Sequence, residues 1–368
     1  MECSLDSFIP VSIQPGERRA LPVQAALPAS QERGGFSTPR DIAGYFPEAV
    51  LIKPQNVVRP AGDSTLFTSS GIQYLETLER RSGKLPDKPL LICQPVIRSQ
   101  FMDGVEPGVS SSFVNCSVIV PNAGGSDMAR YCRRLTELAL GLGARPDLFF
   151  ISVEEGSKSW GSKTFDSKVI TLYYNAIELG EVVLLKSYPF GWDSQKADLL
   201  ECGFGIERLR WAVAGQLEPQ TPSPQSKCDA KAVLQVQDAV RSMVLIAGEG
   251  VTPSNTGHGY RLRQFSKRFA ESNLSAGFNL AVLSGHFFEY WSQWGYEPSR
   301  SAADTFKVID AECQRNFNAL VLKALREKHG VSVAVDINLL TQAFLLRLRN
   351  SAPPAVIERA LAGLAGGE

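Results

Sequence analysis

Residues 93–120 read CQPVIRSQFMDGVEPGVSSSFVNCSVIV, and this stretch gives the clearest indication of the fold. An apolar run ends at Arg98, a loop rich in Gly, Pro and acidic residues follows, and a second apolar run returns through Phe113. Apolar runs of strand length separated by such a loop predict two adjacent antiparallel strands. The pair could present an arginine, a carboxylate and an aromatic ring to one nucleotide, or it could be a solvated hairpin.

Strand-like runs also occur on both sides of this hairpin, separated by clusters of Gly, Pro and Ser. They are AVLIKP (49–54), STLFTSS (64–70), LFFISV (148–153), VITLYYNAIEL (169–179) and EVVLLKSY (181–188). The run SDMARYCRRLTELALGLG (126–143) has apolar residues at helical spacing and a Ser-Asp start signal. Because strands outnumber helices and are not regularly alternated with them, the pattern predicts an α+β fold with a mostly antiparallel sheet.

The pattern changes at residues 215–227, GQLEPQTPSPQSK, where prolines and polar residues replace every periodic signal. Beyond this break the apolar spacing is helical in four long runs and in a terminal pair between residues 335 and 364. We therefore predict an irregular arm over residues 1–40, a sheet-containing domain over 41–220 and an all-helical domain over 228–368.

Composition limits the classes of protein that this chain can belong to. Lys plus Arg and Asp plus Glu number 38 each, so any contact with a nucleic acid has to be local. The sequence contains neither a long apolar stretch nor a signal peptide, so we expect a cytoplasmic protein with no membrane segment. The seven scattered cysteines are expected to be free thiols, and the three separated histidines argue against a zinc site.

A second segment of interest is GFGIERLRWAVAG, residues 203–215. Gly203 and Gly205 would allow the backbone to pass close to a bulky ligand, and Arg208 could offer a forked guanidinium to phosphate oxygens. Considered alone, the segment is more typical of a strand-to-helix junction with a surface arginine. Sequences typical of phosphate-binding loops, dinucleotide-binding loops, zinc proteases and serine hydrolases do not occur.

The third segment is EGVTPSNTGHGYRLRQFSKRF, residues 249–269. A turn containing Asn255 leads into a predicted helix that carries Tyr260, Arg261, Arg263, Lys267 and Arg268. These cations could contact a phosphate backbone while Asn255 contacts a base edge, or they could form a solvated helix face.

Taken in order, LFTSSGIQYL (66–75), QPVIRSQ with SSSFVN (94–115), ECGFGIERL (201–209) and VTPSNTGHGYRLRQFSKR (251–268) resemble the motifs of alanyl-tRNA synthetases. The resemblance spans roughly residues 45–350 and ends before the family's editing domain would begin, so no editing domain is expected in this sequence. It implies a class II synthetase-like antiparallel sheet with flanking helices, followed by a helical tRNA-recognition domain.

The resemblance also implies an ATP site. Arg98 would hold the α-phosphate and Arg208 the γ-phosphate, with Mg²⁺ and both arginines stabilising the charge that develops as an amino acid is adenylated. Phe113 would stack on the adenine, Gly205 would lie against the nucleotide, and Asp103 or Glu106 would belong to the loop that closes over it.

An amino-acid pocket is implied as well, although it matches the family less closely. Glu201, in place of the family's aspartate, would bind the substrate ammonium beside Gly203. Ile72 and Trp160 would line the pocket, and the family's pocket asparagine falls at about Leu184. An α-amino acid is the expected substrate, and alanine is not favoured over others.

On the tRNA side, Asn255 matches the residue that reads the acceptor-stem wobble pair, whereas its partner aspartate aligns near Leu348. Transfer of the acyl group to a tRNA and transfer to a small molecule in a specialised pathway are therefore both open. A catalytically silent paralogue that binds and regulates tRNA or a synthetase is the alternative from another class. The apolar run at residues 280–296 could form a homodimer contact or belong to the core.

Overall fold

The computed structural model of the protein describes residues 18–20, 36–63, 65–160, 163–190, 195–215 and 230–329. These residues form two compact units. The first contains the described residues up to 98, 107–215 and 291–296, and the second contains 99–106, 230–290 and 297–329. Most of the break between residues 215 and 227 lies outside the described residues, so the limits of the three predicted segments stay a prediction.

The first unit is built on an eight-stranded sheet whose spatial order is β1-β5-β6-β7-β8-β4-β3-β2. Neighbouring strands are antiparallel except β2 and β3, which are parallel. The α+β class with a mostly antiparallel sheet is therefore confirmed. The strands are β1 (Arg18–Ala20), β2 (Val50–Ile52), β3 (Leu90–Ile97), β4 (Ser112–Pro121), β5 (Phe149–Trp160), β6 (Lys163–Tyr174), β7 (Ile177–Phe190) and β8 (Gln195–Gly205).

The strand pattern differs from the prediction in several places, beginning with β1, which lies within the predicted irregular arm and pairs with β5. Residues 65–70 form no strand beyond a single bridge from Phe67 to Val58. The predicted strand 169–179 is two strands, because Asn175 and Ala176 adopt φ values of 48° and 66° and reverse the chain between β6 and β7. β8 was not predicted, because its sequence lacks a continuous apolar run; pairing with β4 on one side and β7 on the other holds it extended.

Helices cover both faces of this sheet. They are α1 (Pro39–Ala43), α2 (Tyr74–Ser82), α3 (Gly125–Gly141) and α4 (Ile206–Ala214), with a 3₁₀ turn at Gly71–Gln73. At the predicted start of α3, the Gly124 N–H donates to the Asp127 carboxylate over 2.8 Å. α3 packs on the apolar face that contains Cys202, whose sulfur lies 3.9 Å from the Tyr131 carbonyl oxygen.

Most of the described residues of the second unit belong to four helices, the third of which ends in the first unit, in agreement with the predicted helical pattern of that part of the sequence. They are α5 (Ala230–Gly248), α6 (Gly257–Ala276), α7 (Leu280–Gln293) and α8 (Ala302–His329). Their buried residues include Met243, Leu262, Phe265, Leu283, Phe287 and Ile309. Because Leu283 and Phe287 are fully buried, the apolar face of α7 belongs to the protein interior. The homodimer stays a prediction, and the terminal helix pair at 335–364 lies outside the described residues.

The cysteines inside the described ranges are buried and free; these are Cys93, Cys116, Cys132, Cys202 and Cys313. Cys3 and Cys228 lie outside those ranges. Within the part of the chain that the structure describes, no helix has the length and apolarity to cross a membrane. Over the same ranges, His, Cys, Asp and Glu side chains form no group of three or more that could hold a metal ion.

Candidate active site

The candidate site lies on the face of the sheet opposite α3, where a polar patch borders an apolar cluster. Successive side chains of a strand point to opposite faces, so Phe113, Asn115 and Ser117 of β4 share one face. Cross-strand pairing places Gly203 beside Ser117 and Gly205 beside Asn115. The two segments that sequence analysis singled out in this unit therefore lie side by side.

Arg98 follows directly after β3 and points onto this face. Its Nε donates to the Ser69 carbonyl oxygen over 2.9 Å, and its guanidinium carbon lies 5.0 Å from the centroid of the Phe113 ring. Burial lowers the pKa of Arg98, the Glu201 carboxylate opposes that shift, and the Arg208 cation adds to it. Arg98 lies over the Phe113 ring, and Gly205, whose Cα neighbourhood also contains the Arg208 Cβ, packs against the same ring, so the two arginines lie in the same part of the unit.

Arg208 lies in the first turn of α4. Its Nε donates to the Gly108 carbonyl oxygen over 3.3 Å, and its Nη1 lies 3.8 Å from Oε1 of Glu178. Gly108 has φ +75°, and a Cβ there would lie 2.2 Å from the Trp211 ring. Glycine is therefore required where this loop meets α4 and offers its carbonyl to Arg208.

Glu207 anchors α4 to the sheet, although sequence analysis gave it no role. Both of its carboxylate oxygens accept the Val114 N–H, at distances of 3.1 and 3.0 Å, and the side chain is buried. This contact joins the first turn of α4, which contains Arg208, to the strand that contains Phe113. The sequence signal that could have indicated this role of Glu207 is its position as an acidic residue immediately before Arg208.

Glu201 belongs to this polar patch and is held by two hydroxyl groups. Ser117 Oγ donates to its Oε1 over 2.7 Å and Ser70 Oγ over 3.2 Å, whereas Oε2 accepts no hydrogen bond from the described residues. Burial raises the pKa of Glu201, and the two hydroxyl donors and the Arg98 cation partly offset that effect. The arrangement leaves one carboxylate oxygen available to a cationic ligand.

Ser70 belongs to the turn that brings Ile72 over the sheet. Asn115 Oδ1 accepts the Gly71 N–H over 2.8 Å and the Ser70 hydroxyl over 3.1 Å. A Cβ on Gly71 would lie 2.7 Å from Ser117 Oγ, so the turn approaches β4 as closely as a glycine allows. The close approach sets the position of Ile72 relative to Glu201.

A cavity of about 390 Å³ opens beside Glu201. It is lined by Thr65, Ser69, Ser70, Ile72, Gln73, Lys158, Ser159, Phe165, Glu181, Val183, Leu185 and Glu201. Ile72 and Glu201 were predicted for an amino-acid pocket and do line it. Leu184 does not; we correct that position to Val183, because Leu184 points to the opposite, α3-covered face of β7. The side chain of Trp160, the last residue of β5, lies outside the described residues.

The two predicted loop carboxylates are placed differently. Asp103 and Glu106 are exposed and belong to the second compact unit rather than to the unit that contains the arginines. Asp103 Oδ1 lies 3.7 Å from Nη1 of Arg268, a side chain that is otherwise largely buried. Their role at a nucleotide stays a prediction.

In the second unit, the turn before α6 contains Asn255, whose amide oxygen accepts a hydrogen bond from Arg263. Arg263 Nε also lies 3.4 Å from the buried Glu312 carboxylate, so its guanidinium is held in place. Lys267 and Tyr260 are exposed on the same helix. Arg261 donates to Gln264 over 2.7 Å. The structure thus brings Asn255 and Arg263 together beside an exposed, partly basic helix surface.

Arg300, which sequence analysis did not single out, fixes the position of this turn. Its guanidinium donates to the carbonyl oxygens of Ala247, Gly250 and Val251 at 2.9, 2.8 and 2.7 Å. These carbonyls lie at and just after the carboxyl end of α5, where backbone acceptors lack helical partners. The chain therefore enters the Asn255 turn from a fixed point.

Comparison with known proteins finds similarity among solved structures but not among family models or curated proteins. No protein-family model matches the sequence, and no curated protein matches it. Among solved structures, the chain is similar to PylSc, a pyrrolysyl-tRNA synthetase of Desulfitobacterium hafniense, with 15% identity and a TM-score of 0.33, over 50% of this chain and 69% of that one. A second pyrrolysyl-tRNA synthetase structure from the same organism is 16% identical, with a TM-score of 0.31. The match covers 51% of this chain and 72% of that one.

Proposed function

We propose that this protein is an ATP-dependent ligase that activates an α-amino acid as its aminoacyl adenylate and passes the acyl group to an acceptor. The observation that carries the proposal is the convergence of Arg98, Arg208 and Glu201 on one sheet face beside a cavity. Two cations suit a polyphosphate, and a carboxylate with one unused oxygen suits a substrate ammonium. Retention of both arginines also argues against a catalytically silent paralogue.

In the proposed reaction, a carboxylate oxygen of the amino acid forms a bond to the α-phosphorus of ATP. The bond between that phosphorus and the bridging oxygen to the β-phosphate breaks, and its electron pair leaves with pyrophosphate. Arg98 would stabilise the negative charge on the α-phosphoryl oxygens, and Arg208 the charge on the departing pyrophosphate. Glu201 would hold the ammonium so that the carboxylate points towards Arg98.

Mg²⁺ fits this site by the chemistry of its side chains. Glu178 and Glu181 of β7 both act electrostatically on Arg98, and carboxylates together with phosphate oxygens are the ligands that Mg²⁺ prefers. When bound, the ion would neutralise charge on the triphosphate. We therefore propose Glu178 and Glu181 as its protein ligands.

For the acceptor, we propose the acceptor stem of a tRNA. Asn255 held by Arg263, with Tyr260, Arg261 and Lys267 on the following helix, combines an amide able to contact a base edge with cations able to contact phosphates. Transfer to a small-molecule amine is the competing outcome. The net formal charge of zero means that binding must depend on this local surface.

The proposal is tested by amino-acid-dependent exchange of labelled pyrophosphate into ATP, measured across proteinogenic and modified amino acids, with and without tRNA. Activation predicts exchange with at least one amino acid and loss of exchange in Arg98→Ala. A panel with no exchange would overturn it. Acid-gel detection of acylated tRNA then tests the acceptor: Asn255→Ala and Lys267→Ala should reduce acylation, whereas Lys307→Ala, an exposed lysine on α8, should not.

A further inference from the structure

The cavity extends well past the carboxylate that would receive the substrate ammonium. Glu201 pairs with Val183 across the β7–β8 ladder, and Leu199 pairs with Leu185 two residues farther along. At about 3.4 Å per residue, the wall continues for roughly 7 Å beyond Glu201. Phe165, which follows this direction on β6, and Ile72, from the turn above the sheet, complete the far end.

The far end is apolar. Ile72, Phe165, Val183 and Leu185 are all buried and belong to one hydrophobic cluster with Leu75 and Leu199. A ligand group that enters this space contacts aliphatic and aromatic carbon on several sides. Transfer of each methylene from water into such a space increases affinity substantially. The cavity should therefore discriminate strongly between apolar side chains of different length.

Apart from Glu201, the polar side chains deep in the cavity are paired with other groups of the protein. Gln73 Oε1 accepts the Ser69 N–H over 2.6 Å, and its Nε2 donates to Thr65 Oγ1 over 3.3 Å. Lys158 Nζ lies 3.1 Å from Oε2 of Glu181 at the exposed rim. Among the described lining residues, Glu201 is thus the one charged group that lies away from this rim. A charged ligand group at the far end would lose its hydration without gaining a partner there.

The cavity is much larger than a methyl group needs. A water molecule occupies about 30 Å³ of liquid, so a cavity of about 390 Å³ is many times larger than alanine's side chain requires. Alanine bound through Glu201 would leave the apolar end filled with water or empty. Discrimination by an apolar pocket reaches about 10- to 200-fold for one methylene, so a side chain that fills the space should be preferred by a wide margin.

We infer that the amino acid activated at this site carries a neutral, apolar side chain much larger than a methyl group, in the size class of leucine or phenylalanine. The inference rests on the proposed adenylation function and adds its substrate class. The α-amino group would lie at Glu201, and the side chain would extend between Val183, Leu185, Phe165 and Ile72.

The test uses four aminoacyl-sulfamoyl adenosines, in which the acyl group is alanyl, leucyl, phenylalanyl or lysyl. Their Kd values are measured by calorimetry, and pyrophosphate exchange is measured with the four matching amino acids. We expect the leucyl or phenylalanyl compound to bind at least about 100-fold more tightly than the alanyl one, and the lysyl compound to bind weakly. Equal or tighter binding of the alanyl or lysyl compound would overturn the inference while leaving adenylation intact.

A cavity-filling variant supplies the second measurement. Val183→Phe should reduce the preference for the large side chain over alanine by at least about tenfold, because the new ring occupies the space. Leu185→Phe serves the same purpose if Val183→Phe does not fold, and Val282→Phe, at an exposed position on α7, is the control.

An unchanged preference in folded cavity variants would refute the proposed location. Absence of both binding and exchange with all four probes and the wider amino-acid panel would overturn the adenylation proposal itself, and the inference with it.

Discussion

Ser117 Oγ donates a hydrogen bond of 2.7 Å to Oε1 of Glu201, a carboxylate whose pKa burial nevertheless raises. The hydroxyl orients the carboxylate but does not fully replace the water that the folded chain removes. Glu201 therefore costs stability in its ionised form and supplies a negative charge where the proposed substrate needs one. Sites of this kind commonly exchange stability for binding.

Glu201→Gln should stabilise the protein at neutral pH. A carboxyl group whose folded-state pKa is raised binds its proton more tightly when folded, so its stabilising contribution is complete below the unfolded pKa and is lost as pH rises through the folded pKa. The glutamine variant does not undergo that loss. Its Tm should exceed that of the wild type at pH 7 to 8, and the difference should shrink towards pH 4. A difference in Tm that is constant across this range would contradict the prediction.

The same substitution should impair activation. Replacing the carboxylate removes a charge-assisted hydrogen bond worth about 1.5–3 kcal/mol, which corresponds to about 10- to 150-fold in kcat/KM for the amino acid. In the wild type, kcat/KM for the amino acid should fall as pH decreases through the raised pKa of Glu201, because the protonated group no longer attracts the ammonium. That pH dependence should be absent from the residual activity of Glu201→Gln.

Arg98→Lys and Arg208→Lys test whether the guanidinium groups matter beyond their charge. Lysine keeps one positive charge but cannot donate in parallel to two phosphate oxygens or stack on Phe113 as Arg98 does. Each variant should lose about 2–4 kcal/mol of transition-state stabilisation. This loss corresponds to an exchange rate that is about 30- to 900-fold lower. Arg145→Lys is the matched control, since Arg145 is 68% exposed and pairs only with Asp147 among the described residues. Rates close to wild type in both test variants would contradict a phosphate-binding role.

Much of the fold could be predicted because apolar periodicity was strong where burial was one-sided. The limits of α3 and of the four helices in the second unit follow from that periodicity. β8 could not be predicted in the same way, since its side chains alternate between the α3-covered face and a face that contains Glu201 and two glycines. Its extended conformation depends on two neighbouring strands that lie far away in the sequence.

The residues of the candidate site could be nominated only in part. Arg98, Phe113 and Arg208 were nominated because four segments resemble one family in the same order, since each segment alone was also compatible with an ordinary protein surface. Val183 could not be distinguished from Leu184 without the strand register, because a shift of one residue moves a side chain to the other face of the sheet. Glu207 acts through a backbone N–H, which leaves no mark in the sequence of its partner.

Gly71→Ala tests how closely the turn over the sheet must approach β4. The added Cβ would lie 2.7 and 2.8 Å from the Oγ and Cβ of Ser117, and overpacking of this kind typically costs about 1–3 kcal/mol. Tm should fall by several degrees, and exchange should fall further than stability alone explains, because the turn also positions Ile72 and Ser70. Gly156→Ala, where an added Cβ meets nothing within 4 Å, should change neither quantity.

Arg300→Ala tests whether the entry to the Asn255 turn is held by the three carbonyl contacts of this guanidinium. Removing a charged donor from backbone acceptors should destabilise the protein by about 1.5–3 kcal/mol and lower Tm by roughly 3–12 °C. Binding of an acceptor-stem RNA duplex should weaken, since the turn loses its fixed point. Amino-acid-dependent exchange, whose proposed residues lie in the first unit, should persist below the lowered Tm.

Lys307→Ala controls for loss of a cation in the same unit as Arg300, because Lys307 is 75% exposed. RNA affinity that falls equally in both variants would indicate a general charge effect, and unchanged affinity in Arg300→Ala would separate the Asn255 turn from the acceptor site.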